Sequence, residues 1–271
     1  MPATTPVWDP HQYLRHAGHR ARAFLDLLAH VPALPGEQDG HPRIADLGCG
    51  PGNVTRLLAD RWPTAHITGL DNSPQMLAEA EPLAGPTPGG GRLDFASADV
   101  LTWAPPEPYD LIASNAALQW VPGHLDRFPA WVDTLAPGGV LAFQVPGNFD
   151  APSHRLMREL AGSARWRDRL AGVLRHEDAV HAPAVYLETL AGLGCEVDVW
   201  ETTYQQILQG EDAVLDWVKG TGLRPVLTEL GEDTEPFVEE YRALLREAYP
   251  ARAHGTVFPF RRVFAVARRH P

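Results

Sequence analysis

Lysine is almost missing from this 271-residue chain: Lys219 is the only one among 23 basic side chains, so arginine carries the positive charge. A genome's base composition accounts for that bias as well as function does, and it excludes nothing alone. Positive charge is scarce overall, since 34 acids leave a formal net charge of −11. That balance argues against a nucleic-acid partner, which needs a basic face. No apolar run approaches the roughly 20 residues of a membrane span, and the first residues lack a charged-then-apolar signal pattern. The expectation is a cytoplasmic chain with no membrane partner. Cysteine is limited to Cys49 and Cys195, which have no metal-type spacing, so no metal is expected.

What is present supports a large core. Apolar residues make up 44% and charged residues 21%, enough for one domain with a sizeable insertion or for two. The chain is organised around Ala45 to Gly52, Ala-Asp-Leu-Gly-Cys-Gly-Pro-Gly. Arg43 to Leu47 reads as a buried strand. The glycines at 48, 50 and 52 then remove the side chains that would hold a ligand away from the backbone at the strand's carboxyl end. Asn53 is positioned to cap a helix running to about Arg61. A Gly-x-Gly-x-Gly run is also compatible with a plain tight turn. The next strand, Ile67 to Leu70, adds a second signal, because it ends at Asp71, 19 residues past Gly52 and close to the spacing of about 20 for a ribose-binding acid. A strand, glycine loop, helix, strand and acid in that order point to a nucleoside ligand.

Asp46, directly before the glycines, narrows the choice. Asp-x-Gly-x-Gly-x-Gly resembles the first motif of the S-adenosylmethionine-dependent methyltransferases of Rossmann type. The resemblance implies that Asp46, Gly48, Gly50 and Gly52 approach the amino-acid moiety of the cofactor and that Asp71 binds the ribose hydroxyls, with Asn72 and Asn115 also among the cofactor-binding residues. Two hydroxyl donors on one carboxylate give charge-assisted bonds worth roughly 1.5–3 kcal/mol each.

Along the chain, Tyr13 to His30 follows helical spacing and stops before Pro32, and 35–42 reads as a linker. Ser73-Pro74 supplies a cap and a first-turn proline for a helix to about Glu81. Gly85 to Gly91 reads as a flexible surface loop. Leu93 to Ser97 and Tyr109 to Ser114 read as the third and fourth strands. Asp99 is a candidate acceptor for the adenine amino group or else the cap of a turn. Asn115 to Trp120 follows the fourth strand, where the resemblance places the transferable methyl; Trp120 either positions it or packs. A helix at 125–135, Pro137-Gly138-Gly139 and a fifth strand at 140–145 follow. Helices are read at 152–164 and 184–193, strands from Val197 and at 257–267, and two helical segments, 213–218 and 235–249, inside the long final connection, far beyond a hairpin loop. Strand and helix alternating in this order give an α/β fold, a seven-stranded mostly parallel sheet with helices on both faces. One domain over 1–271 is expected, with its core at about 40–150, 184–204 and 256–269 and a helical lid from about 8–30, 151–182 and 210–250.

A wider match covers nearly the whole chain, lid included. Trp8-Asp9-Pro10 with Tyr13-Leu14, Trp62-Pro63, Ile67-Thr68-Gly69, Asn115 to Trp120, Leu156 to Glu159, Gly194 to Trp200 with Thr202 to Tyr204, and Asp216 to Val218 through Thr221 to Pro225 together resemble the trans-aconitate methyltransferases. The chain departs in its longer N-terminus, the 35–42 linker and the 85–91 loop. The resemblance implies methyl transfer from S-adenosylmethionine to one carboxylate of trans-aconitate. A carboxylate is already ionised at neutral pH and needs alignment rather than a base, so neither His16, His124 nor His154 is expected to be essential. A tricarboxylate calls for arginine forks. The candidates are Arg224 and Arg262, which with Trp120 would position the reactants, then Arg20, Arg22 and Arg158, with Tyr13, Tyr204 and Trp217 as lid contacts. Core packing or a solvated surface is the competing reading for each. Two alternatives stay open: an O-methyltransferase for another small acid or natural product, and a cofactor-binding protein that has lost catalysis. The oligomeric state is not set by these residues.

Overall fold

The computed structural model describes residues 17–37, 40–105, 107–174 and 179–270. They form two compact units. A sheet unit comprises 17–145, 179–201 and 263–270, and a helical unit comprises 146–174 and 202–262.

In the sheet unit the strands are β1 (Arg43–Leu47), β2 (His66–Asp71), β3 (Gly85–Pro86), β4 (Arg92–Ser97), β5 (Tyr109–Asn115), β6 (Leu135–Pro146), β7 (Cys195–Leu208) and β8 (Thr256–Arg269), the last two contributing residues to both units. Their order is β3-β4-β2-β1-β5-β6-β8-β7. β1 pairs in parallel with β2, Asp46 opposite Gly69, and with β5, Asp46 opposite Ala113. The chain runs outward from β1 through β2 to β4 and then returns to the other side of β1 with β5. That reversal opens a ligand crevice at the carboxyl ends of β1 and β5. β1, β5 and β6 are buried on both faces, which accounts for their near-continuous apolar runs.

The helices of this unit are α1 (Ala17–His30), α2 (Thr55–Arg61), α3 (Pro74–Ala80), α4 (Phe128–Asp133) and, after the helical unit's α5 (Pro152–Ala161) and α6 (Arg167–Leu170), α7 (Pro183–Gly192). Ser73 caps α3 as expected, its hydroxyl accepting the Met76 N–H with proline at the first position. Asn53 does not cap α2: Val54 occupies that place, and the Asn53 Oδ1 is buried without a partner. α1 buries Ala23, Phe24, Leu27 and Leu28 and is grouped with the sheet unit. The core gathers Phe128, Trp131, Phe143 and Tyr186 with the aliphatic residues of β1, β5 and β6.

Eight strands replace the expected seven. The extra one, β3, arises inside the segment read as a flexible loop, where Gly85-Pro86 pairs antiparallel with β4. Gly91 is held against β2's approach: a Cβ there would lie 2.3 Å from the Ala65 carbonyl oxygen, so only glycine allows the chains to meet.

The helical unit is built from α5, α6, α8 (Ala213–Lys219), α9 (Arg224–Leu230) and α10 (Thr234–Ala248), with 202–208 of β7 and 256–262 of β8. Three helices rather than two fill the long connection. α9 lies where the sequence reading places no helix, and its proline falls in the first turn, where it loses no intrahelical hydrogen bond. Trp166, Trp217, Phe237, Tyr241, Phe258 and Phe260 make its core. Tyr241 donates its hydroxyl to the Ser153 carbonyl, and the Ser153 N–H donates to Tyr249 Oη at 3.0 Å, fastening α5 to α10.

Candidate active site

Each of the three loop glycines has a left-handed φ: +74° at Gly48, +58° at Gly50 and +75° at Gly52. Their surroundings differ. A Cβ on Gly48 would lie 2.2 Å from the Ala117 Cβ, and one on Gly52 2.7 Å from the Phe95 ring, whereas one on Gly50 would meet nothing within 4 Å. Two glycines are therefore required by close packing within the fold, and the middle one leaves open space beside the backbone.

Asp71, half-buried at the end of β2, spans the loop with both carboxylate oxygens. Oδ2 accepts the Gly50 N–H at 2.9 Å and Oδ1 accepts the Ser73 N–H at 2.9 Å. The same strand end supplies the Leu70 carbonyl to the N–H groups of Gly48 and Cys49 at 2.7 and 3.0 Å. Asp71 thus organises the glycine loop, with lone pairs remaining on each oxygen.

Asp46 is only 1% exposed. Its Oδ2 accepts the Thr55 hydroxyl at 2.7 Å, and its Oδ1 is buried with no partner. Burial pushes the Asp46 carboxyl up to about 7, the Asp71 charge adds to the rise, and the Thr55 bond opposes it. Cys49, inside the loop and buried, has its thiol pushed up by burial and then by the two acids, which makes it inert.

At the end of β5, Asn115 is 8% exposed, and its Oδ1 accepts from the Gln144 side chain. Trp120 closes a short 3-10 turn, Leu118–Trp120, and is half-buried. Asn72 is exposed beside Asp71. Asp99 has the capping role: its Oδ1 accepts the Leu101 N–H at 2.9 Å and its main-chain oxygen the Trp103 N–H at 2.8 Å. Thus Asp46, Gly48, Gly50, Gly52, Asp71, Asn72 and Asn115 come together around the carboxyl ends of β1, β2 and β5. A separate groove of about 360 Å³ at the amino ends of the same strands, lined by Arg43, His66, Arg92, Asp94 and Glu107 among others, contains none of these residues; its arginines are paired, Arg43 with Glu107 and Arg92 with Asp94.

Arg158, Tyr204, Trp217, Arg224 and Arg262 all belong to the helical unit. Gly222 lets the turn before α9 pack on α5, since its Cβ would lie 3.2 Å from His154 Nε2, and this puts Arg158 and Arg224 on adjoining elements. Arg262 is 4% exposed, its guanidinium 4.5 Å from the centre of the Phe260 ring. Tyr204 is buried on the same face of the β7–β8 pair as Gln206, whose Oε1 is buried without a partner. Trp217 is a core side chain, 2% exposed and packed on Phe258 and Phe260. Arg22 is exposed on α1 of the sheet unit, apart from the other arginines in the division into units. Tyr13 and the side chain of Arg20 lie outside the described residues.

Residues 44–139 match the family model described as a methyltransferase domain. The chain is 75% identical over 270 residues to the trans-aconitate 2-methyltransferase of Streptomyces avermitilis, covering 99% of both chains. The chain belongs to the trans-aconitate 2-methyltransferase family. A second member of that family, from Streptomyces coelicolor, is 71% identical over 272 residues, covering 99% of this chain and 89% of the other. Among solved structures, phosphoethanolamine N-methyltransferase 2 of Haemonchus contortus, in complex with S-adenosyl-L-methionine, aligns with a TM-score of 0.56 at 15% identity, over 97% of this chain and 57% of the other. That likeness shows the fold, a Rossmann-like class I methyltransferase sheet. Within this trans-aconitate 2-methyltransferase family member, the supporting residues that sequence reasoning missed are Thr55, which holds Asp46, and Gln144, which holds Asn115. Thr55 carried a faint signal as a buried polar residue opening α2. Gln144, inside the apolar run Leu141 to Val145, carried a clearer one, a polar residue in a central strand.

Proposed function

We propose that the chain transfers the methyl group of S-adenosylmethionine to a carboxylate of trans-aconitate, giving a monomethyl ester and S-adenosylhomocysteine. The observation that carries this reading is the identity to trans-aconitate 2-methyltransferases over nearly the full length of the chain, helical unit included.

The residues fit the cofactor. Gly50 leaves space beside a half-buried stretch of backbone, Asp71 keeps acceptor capacity for hydroxyl donors, and the orphaned Asp46 Oδ1 is a polar atom left without a partner next to the loop. When bound, the cofactor supplies an electrophilic methyl on a sulfonium. A carboxylate acceptor would meet that methyl already ionised, so no side chain of this chain would have to accept a proton. The chain's work would be alignment: Asp71 and the glycine loop would hold the nucleoside, Asn115 and Trp120 lie at and after the end of β5, and the guanidinium groups of Arg158, Arg224 and Arg262 have the chemistry to neutralise the non-reacting carboxylates. Positioning of this kind can supply roughly 7–11 kcal/mol of a barrier.

No helix among the described residues is long and apolar enough to cross a membrane. The reading places the reaction in the cytoplasm and asks for no nucleic-acid or membrane partner. A turnover assay over a panel of di- and tricarboxylates, following S-adenosylhomocysteine release, tests it. Trans-aconitate is expected to give the highest kcat/KM, and a higher value on a different acid would replace the substrate. Cofactor binding with no turnover of any acid would end the enzyme reading.

A further inference from the structure

The junction after β5 is held in a conformation that its sequence does not favour. Ala116 has φ +55°, and among the described residues it is the one non-glycine in the left-handed region. Such strain persists where the surroundings over-determine it, and it gathers at ligand sites. Here the restraints come largely from one residue of the neighbouring strand. Gln144 of β6 sits opposite Asn115 in the parallel register and is 1% exposed. Its main-chain oxygen accepts the Ala116 N–H at 2.9 Å, and its side-chain Nε2 donates to Asn115 Oδ1. The Gln119 side chain donates to the Ala116 carbonyl from the far side of the turn, and the Ser114 hydroxyl ties the strand to the Leu47 carbonyl at 2.8 Å. Ala117, the next residue, is the one that abuts Gly48.

An asparagine amide has one acceptor and one donor end, and here the acceptor end is taken. Asn115 Nδ2 donates to no group among the described residues. We propose that Gln144 is a positioning residue which fixes the polarity of the Asn115 amide, so that the end of β5 presents Nδ2 to a ligand carboxylate. This rests on the methyl-transfer reading, in which both ligands carry carboxylates, the acid acceptor and the amino-acid end of the cofactor. A neutral amide suits the task. It orients a carboxylate without drawing off its charge as an arginine would, so an oxygen held this way keeps its nucleophilicity.

The decisive variant is Gln144→Glu. Protonated, the glutamate still donates to Asn115 Oδ1 and reproduces the native arrangement; ionised, it only accepts and turns the amide round, presenting Oδ1 to the ligand. Relative to wild type at each pH, Gln144→Glu is expected to be near-normal at pH 6 and to lose about 10- to 100-fold in kcat/KM by pH 8.5. Asn115→Asp, which removes the donor outright, is expected to show a loss of that size at both pH values, and adding Gln144→Glu to it should cost little more. A loss confined to the KM of the acid identifies its carboxylate as the partner. A loss in cofactor affinity, read by calorimetry, identifies the cofactor's. A pH-independent effect of Gln144→Glu, or wild-type KM, kcat and cofactor affinity in a folded Asn115→Asp, overturns the proposal. If Gln144→Glu does not fold, the Asn115→Asp result alone decides. Failure of the wild-type chain to methylate any acid would count against the function itself, and cofactor affinity in Asn115→Asp would then decide the carboxylate contact by itself.

Discussion

The two units achieve order at their polar residues by opposite means. In the sheet unit, the polar end of the strands is organised by main chain: left-handed glycines, N–H groups on Asp71, and carbonyls of Leu70 and Gln144. In the helical unit, side chains are set against aromatics, with Arg262 on Phe260 and Trp217 packed on both Phe258 and Phe260. Backbone geometry tolerates almost no substitution but carries little substrate information. Side chains can be exchanged singly, and that is where a choice among acids can reside.

The largest effect expected from this contrast comes from Asp46. Its folded-state affinity for a proton exceeds that of the unfolded chain, so the stability associated with the protonated form is present at low pH and declines as pH rises from about 4 to about 7. Denaturant unfolding of wild type and Asp46→Asn should therefore diverge over that interval by up to about 4 kcal/mol, the variant being the flatter. Parallel curves would mean that Asp46 is ionised throughout. His124 works with the opposite sign. Burial holds its imidazole below the ordinary value, so its contribution is lost as pH falls below about 6.5, which sets a lower edge to the stable range.

Next in size is Gly48→Ala. A Cβ 2.2 Å from Ala117, added at φ +74°, combines steric overlap with backbone strain, and a loss of about 2–4 kcal/mol of stability is expected. A thermal midpoint within a degree of wild type would show that the loop can shift and would weaken the claim that main chain governs this unit.

A smaller effect is expected on the helical side. Arg224→Ala should raise the KM for trans-aconitate several-fold while leaving cofactor affinity alone. Unchanged steady-state kinetics would make Arg224 a surface residue and move the acid-binding role to Arg158 and Arg262. Smallest is Arg155→Ala, which breaks the exposed pair with Glu159 one turn along α5. Its cost should be below about 0.5 kcal/mol, and a larger one would mean that α5 depends on its surface charges.

How far each part could be read from sequence follows the same division. Glycines in left-handed φ and an acid at a strand end leave a spacing signal, so Asp46 to Gly52 and Asp71 could be located before any coordinates. The capping of α2 could not, because Asn53 and Val54 compete for one position and packing decides. β3 was invisible, since Gly85-Pro86 has no strand propensity and pairs only because β4 offers an edge. α9 was obscured by its own first-turn proline. Trp217 and Arg262 show the limit in the helical unit: neither their burial nor their aromatic neighbours could be read from the sequence around them. Gln144 sits inside an apolar strand, where most buried polar groups have a partner, and which partner it takes is decided by the neighbouring strand.

The near-absence of lysine has a practical side. Lys219, at the end of α8 and just before the Thr221–Arg224 turn, carries the only side-chain amine in the protein. Amine-directed reagents therefore have a single internal target, five positions before Arg224, the arginine proposed for the acid. A fluorophore placed there by ordinary acylation, with no engineered cysteine, would report on that turn as ligands are added one at a time, and its reaction rate with and without the acid would serve as a footprint of the turn's exposure.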